Sequence, residues 1–250
     1  MGQLDGRIAI VTAGGGGIGQ ATAWLLVERG ASVVAVDIDP AGLAETARAC
    51  DAPDRLRTLA ADATTLAGAE ASVRDAVENF GGLHILANVV GGSRPGKTVV
   101  DLPLEEWESW VRLNLTSTFL MCKAAIPAMA RSGGGSIVNI SSGAGVDGMQ
   151  KNPAYVAAKG GVIALTKALA LDHAGQHIRA NCIAPGAVLT PLMKRNRRPE
   201  EIDWMANANL VGRIGMPHDI AAMVAFLSSE DGSFVNGELI NISGGQKRGI

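Results

Sequence analysis

A chain of 250 residues, 47% hydrophobic and 18% charged, can bury a sizeable core, and one α/β domain is the expected organisation. A formal net charge of −2 and a pI near 6.1 give no bulk attraction for nucleic acid or an anionic membrane, so neither is expected as a partner. Cys50, Cys122 and Cys182 are far apart and form no C-x-x-C pair, which points to buried free thiols rather than disulfides or a metal site.

The N-terminus enters an apolar, β-branched run, RIAIVT, within a few residues and shows no basic and apolar leader, and no apolar run reads as long enough to span a bilayer. A cytoplasmic location is expected. Directly after that run comes TAGGGGIGQ, Thr12 to Gln20, and then an apolar helical stretch with Trp24, Leu25 and Leu26. Glycine has no Cβ, tolerates positive φ and lets another molecule approach the main chain closely. The first amides of the following helix lack intrahelical partners and, with the helix dipole, make a seat for phosphate. A dinucleotide site is the sharp reading and a flexible loop the plain one; the position between strand and helix favours the first. Two registers fit. Gly14, Gly16 and Gly19 match G-x-G-x-x-G, while Gly17 and Gly19 match the end of T-G-x-x-x-G-x-G with Ala13 in place of the first glycine.

Further on, short β-branched runs alternate with helical segments: SVVAVD and a helix through Cys50, LRTLAAD and a helix to Phe80, then HILAN, SIVNIS, IRANCIA and ELINI. This predicts a single α/β domain over 1–250, a seven-stranded parallel sheet with helices on both faces. The second strand ends at Asp37, where a dinucleotide fold places an acid for the adenosine ribose hydroxyls; a carboxylate there repels a 2′-phosphate, so NAD is favoured over NADP. Asp39 competes for that role, but the following Pro40 reads as a helix start with Asp39 as its cap. Asp62 ends the third strand, either reaching the adenine or only turning the chain.

Two regions depart from the alternation. Leu104 to Arg131 reads as two consecutive helices meeting near Asn114, with Pro127 late in the second. Pro185 to Val211 is rich in Pro, Asn, Arg and Met with poor strand character, and about 187–212 is a candidate lid over a ligand at the strand's carboxyl end. His173 and His177 lie four apart on a helix without the acidic metalloprotease motif and read as a solvated face; no metal is expected.

The chain's only tyrosine, Tyr155, is followed one helical turn later by Lys159, so both share a face. The run SIVNI leads to Ser141 and Ser142, and Ser142 lies thirteen residues before the tyrosine. Strand alternation would point the two serines to opposite faces.

With the glycine turn, Asp37, Asp62, ILANVVG, Asn114 in VRLNLTS, Ser142, Tyr155, Lys159, IAPGAVLT and VNGELINISGG in this order, the whole chain resembles the short-chain dehydrogenase/reductase family. The resemblance implies a Rossmann fold and selects the second glycine register, with Gly14, Gly17, Ile18 and Gly19 at the cofactor. It departs at Ala13, at Asn88-Val89-Val90-Gly91 where the family has NNAG, and at Ser243 where the family has an acid. It also implies that Asp62 with Ala63, Asn88 and Gly91 line the cofactor crevice. Tyr155 becomes the general acid/base and also a cofactor contact, Lys159 lowers its pKa and holds the nicotinamide ribose, Ser142 bonds the substrate oxygen, and Asn114 holds a proton-relaying water. Pro185 and Gly186 turn the chain under the nicotinamide, and Val188 and Thr190 fix the carboxamide.

The implied function is NAD-dependent interconversion of a secondary alcohol and a ketone. Alternatives are an NADPH-using 3-oxoacyl-thioester reductase of the same family, against which Asp37 speaks, and a non-catalytic NAD sensor, against which the intact Asn114, Ser142, Tyr155 and Lys159 speak. Lys151 and the run KRNRR, Lys194 to Arg198, suit either an anionic substrate or a solvated basic helix. Relatives pair through the helices of Leu104–Arg131 and Ala154–Ala174, so a homotetramer is implied; a stripe of Ala157, Ala158, Gly160, Gly161 and Ala164 would allow close helix approach.

Overall fold

The computed structural model describes residues 3–245. Seven strands form one parallel sheet: β1 (Ile8–Thr12), β2 (Ser32–Asp37), β3 (Leu56–Ala60), β4 (Ile85–Asn88), β5 (Gly135–Ile140), β6 (Ile178–Pro185) and β7 (Leu239–Ile242). Between them run α1 (Gly17–Glu28), α2 (Pro40–Cys50), α3 (Leu66–Phe80), α4 (Leu104–Val111), α5 (Ser117–Arg131), the short α6 (Ala144–Asp147), α7 (Pro153–Asp172), α8 (Pro191–Asn196), α9 (Pro199–Ala208) and α10 (Pro217–Ser228).

Strand alternation divides the core. Ala9 and Val11 of β1 pack with Leu25, Leu26, Ile220 and Val224 on the side of α1 and α10. Ile8 and Ile10 of the same strand pack with Val73, Met121, Met129 and Leu169 on the side of α3, α5 and α7. Because both faces of the sheet's centre are covered, β1 and β4 are buried along their whole length, whereas the edge strands β3 and β7 are partly exposed. The order β3-β2-β1-β4-β5-β6-β7 reverses direction between β1 and β4. At that switch point the flanking loops diverge and leave a crevice at the carboxyl ends of the strands.

Several local expectations change. The third strand stops at Ala60 rather than Asp62, because Asp62 folds back and its Oδ1 accepts the Thr64 amide at 2.8 Å. The joint at Asn114 is no break: α4 runs through a π-helical turn, Arg112–Thr116, into α5. By length and composition, α7 is apolar enough to cross a bilayer, 20 residues at mean hydropathy 1.4, contrary to the sequence reading. Its apolar content serves the core instead, with Ala158, Val162, Thr166, Leu169 and Ala170 buried against the sheet.

Candidate active site

On one side of the crevice, the glycine turn is held by bonds from its neighbours. The Gly14 amide donates to the Val36 carbonyl at 2.9 Å, and the Gly15 amide to Asp37 Oδ2 at 3.0 Å. From α2, the buried Thr46 hydroxyl donates to the Gly14 carbonyl at 2.8 Å, and Gln20 donates to that hydroxyl at 2.9 Å. A turn left free by Gly14 to Gly16 is therefore not what forms; only around Gly16 is the space open, with no atom within 4 Å of where a Cβ would sit. Gly19 is required by packing, since a Cβ there would lie 2.0 Å from the Ala13 carbonyl oxygen. Ala13 itself sits at φ 54, in the left-handed region that favours glycine, which is the physical cost of its departure from the family pattern. No side chain caps the start of α1, so Gly17, Ile18 and Gly19 open a helix end suited to an anion.

Asp37 ends β2 with its carboxylate beside this turn, its Oδ1 accepting the Asp39 amide at 3.0 Å. Asp39 caps α2 by accepting the Ala41 amide at 3.0 Å, as expected. Asp62 is an exposed turn residue, and Ala63 beside it is buried in the core. On the next strand, buried Asn88 points into the interior, where its Nδ2 donates to Asn139 Oδ1 at 2.8 Å and lies 3.4 Å from Cys122 Sγ. Thr12 holds the Val89 and Val90 amides on its hydroxyl, at 2.9 and 3.2 Å. The two valines thus keep the turn through their backbone and pack their side chains on the core.

On the other side of the switch point, α7 brings Tyr155 and Lys159 to the end of β5. Lys159 is 3% exposed, and its Nζ donates to the Ile140 carbonyl at 2.8 Å. Burial lowers its pKa to about 8. Burial also pushes the Tyr155 phenol above its ordinary value, with a hydrogen bond from the Ser142 side chain working against it. The expected lowering of the tyrosine by Lys159 is absent, because the ammonium is turned to a β5 carbonyl. Gly91 explains how the pieces meet: a Cβ there would lie 2.8 Å from both Lys159 Nζ and Asn114 Oδ1, so only glycine leaves room. Asn114 is wholly buried and clamps Gly92, accepting its amide and donating to its carbonyl at 3.0 Å each, while a further bond reaches the Trp110 carbonyl at 3.0 Å. Its side chain is thus a clamp on the β4 loop.

The serines do not split across the sheet as alternation predicts, because β5 ends before them. Ser141 is buried and donates to the Lys159 carbonyl at 2.8 Å, while half-buried Ser142 faces Tyr155. The end of β6 carries Pro185 and Gly186: the Gly143 amide donates to the Pro185 carbonyl at 3.0 Å, and Gly186 packs against Ser243. Val188 is buried with its carbonyl accepting the Thr190 amide at 2.8 Å. Thr190 caps α8 through its hydroxyl, and its methyl group lies over Gly17.

The segment 187–212 is helical, α8 and α9, and is fastened at its ends. The Leu189 amide donates to the Gly215 carbonyl at 2.8 Å, and the Leu210 and Val211 amides to the carbonyls of Gly245 and Gly244 at 2.8 and 3.0 Å. Arg213 grips Asp219 with two bonds of 2.7 and 2.8 Å, which hold that carboxyl at about 2. The basic run is no single patch, for Arg197 and Arg198 both pair with Glu201. Sequence reading misses the bonds of Ser141, Thr46, Gly92 and the Ile140 carbonyl; for Ser141 a polar residue directly after an apolar run is the available signal.

Among the described residues no group of three or more metal-ligating side chains comes together. Residues 12–247 match the family model described as enoyl-(acyl carrier protein) reductase. The chain is 37% identical to cyclohexanol dehydrogenase of an Acinetobacter strain, over 97% of this chain and 95% of that one. It is 32% identical to 3-oxoacyl-[acyl-carrier-protein] reductase FabG of Thermotoga maritima, over 97% and 98%. Among solved structures, a 7α-hydroxysteroid dehydrogenase complexed with NADH and 7-oxo glycochenodeoxycholic acid superimposes with a TM-score of 0.92 at 32% identity, covering 97% of this chain and 95% of that one.

Proposed function

This chain belongs to the short-chain dehydrogenase/reductase family and is an oxidoreductase of that kind, and on this premise we propose that it interconverts a secondary alcohol and its ketone with NAD. The observation that carries the reading is that Asn114 and Lys159 meet at Gly91 while Ser142 faces Tyr155 on the helix that carries Lys159, with Asp37 at the glycine turn on the other side of the switch point. The residues present fit a dinucleotide: an uncapped helix start behind open backbone at Gly16, a carboxylate at the end of β2 and a glycine cradle at Gly91.

Bound nicotinamide supplies or accepts the hydride. The proton is the protein's task. Tyr155 donates it to the ketone oxygen or removes it from the alcohol, with the Ser142 hydroxyl bonding that oxygen. A raised phenol pKa favours the donor form at neutral pH, so alcohol oxidation rises with pH and ketone reduction falls at alkaline pH. Lys159, near 8, carries charge at neutral pH and would steady the phenolate on turning from the Ile140 carbonyl toward Tyr155. Water held at the π-helical turn beside Asn114 completes the proton path to solvent. Val188 and Thr190 orient the carboxamide, Asp62 and Ala63 border the adenine, and 187–212 acts as a lid.

Ion pairing of Arg197 and Arg198 to Glu201 favours a solvated basic helix over an anion site, and hence a neutral alcohol. A homotetramer in the cytoplasm is part of the proposal. The relation to FabG makes an NADPH-dependent thioester reductase the reading to test against. Turnover of matched neutral and anionic secondary alcohols, and of a 3-oxoacyl thioester, with NAD and NADP decides between them. NAD-linked turnover of a neutral alcohol supports the proposal; NADP-linked thioester turnover alone contradicts it. Replacing Lys151 and Arg195 by Ala leaves KM for a neutral alcohol unchanged.

A further inference from the structure

Four consecutive residues, the last two of β5 and the two that follow it, each engage α7. Asn139 Nδ2 donates to Thr166 Oγ1 at 2.9 Å, the Ile140 carbonyl accepts Lys159 Nζ at 2.8 Å, Ser141 Oγ donates to the Lys159 carbonyl at 2.8 Å, and Ser142 faces Tyr155. The helix face that meets the sheet is otherwise made of small and aliphatic side chains, Ala158, Val162, Leu169 and Ala170. Such a surface resists separation, yet many axial positions bury nearly the same apolar area. Directional bonds between buried polar groups discriminate among those positions, because a slip leaves donors and acceptors unpaired.

Asn139 and Thr166 are both fully buried. Their bond continues to β4 through Asn88 Nδ2, which donates to Asn139 Oδ1 at 2.8 Å, and Thr166 Oγ1 donates onward to the Val162 carbonyl at 2.7 Å. Thr166 lies eleven residues beyond Tyr155, about 16 Å along the helix. At that distance it touches neither substrate nor cofactor.

We propose that Thr166 is a positioning residue: through Asn139 it fixes where α7 lies along β5, and so sets where Tyr155 meets Ser142 and where Lys159 meets Ile140. The inference rests on the reading of Tyr155 and Lys159 as the proton-transfer pair. Around Lys159 Nζ stand the Ile140 carbonyl from β5, the Cys182 thiol from β6 and Asn114 Oδ1 across Gly91, with Tyr155 one turn earlier on its own helix. A displaced helix moves the ammonium among these groups and toward solvent.

The test compares Thr166→Val, which keeps the shape and removes the hydroxyl, with Thr166→Ser, which keeps the hydroxyl. In Thr166→Val, kcat falls roughly tenfold or more for one lost buried hydrogen bond, KM for NAD stays within about twofold, and the pH profile of kcat/KM shifts. Thr166→Ser keeps the wild-type profile. The Lys159 Cε resonance gives a readout without turnover: its titration moves from about 8 toward the ordinary 10.5 in Thr166→Val and stays in Thr166→Ser. If Thr166→Val does not fold, Ser141→Ala breaks the neighbouring tie and is expected to move the same titration. Thr166→Val with lowered melting temperature but unchanged kcat, pH profile and Lys159 titration overturns the inference. A wild-type protein without Tyr155-dependent turnover defeats the functional reading instead, and the titration then still decides whether Thr166 positions the helix.

Discussion

The glycine turn and the segment 187–212 both border the crevice at the carboxyl ends of the strands, and they are built in opposite ways. The turn is short and tied along its length, to Val36 and Asp37 of β2, to Thr46 of α2 and by contact with Gly19. The segment is long, carries two helices and is fastened at its ends, by Leu189 to Gly215 and by Leu210 and Val211 to the Gly244–Gly245 turn. A phosphate seat needs backbone donors in place before the ligand arrives, whereas a cover over a substrate has to admit and release it. The difference in anchoring fits the tasks proposed for the two regions.

Substitutions that loosen one region without the other sharpen that contrast. The largest effect is expected at Gly19→Ala: a methyl group forced against the Ala13 carbonyl costs about 3 kcal/mol, which titration with NADH would read as roughly a 100-fold loss of affinity. Asp37→Ala removes both a turn contact and the proposed ribose acceptor, and kcat/KM with NAD falls about 10- to 100-fold while the value with NADP falls less. Arg213→Ala releases the far end of the segment. Its ion pair with Asp219 is half-exposed and screened by solvent, so steady-state kinetics should show KM for the alcohol rising modestly, up to severalfold, with KM for NAD unchanged. Ala13→Gly relieves the left-handed residue at φ 54 and raises unfolding stability by about 1 kcal/mol, seen as a higher melting temperature with no change in kcat. Equal responses of cofactor and substrate constants to Asp37→Ala and Arg213→Ala would erase the distinction between the two regions.

The sequence spells out the local signals plainly. Strand alternation, the strand–glycine–helix order, the acid at the end of β2 and the Tyr155–Lys159 spacing all concern residues within a turn or two of each other. What it hides depends on elements distant in the chain. The π-helical turn at Asn114 forms where that side chain reaches across to Gly92, a partner 22 positions away. Ser141 reads as the spare member of a pair until α7 folds back and offers the Lys159 carbonyl. The charge of KRNRR is legible, but its pairing to Glu201 needs α9 to form first. The direction of the Tyr155 pKa runs against the sequence expectation for the same reason, since burial and the orientation of Lys159 are tertiary properties.

The central claim is that the Tyr155 hydroxyl moves the proton in a crevice whose hold on NAD does not depend on that hydroxyl. One paired measurement tests this most directly: NADH binding by titration and NAD-linked alcohol turnover, in wild type and in Tyr155→Phe. The account predicts NADH affinity within about twofold and turnover reduced about 100-fold or more. Turnover that survives the loss of the phenol hydroxyl would contradict it.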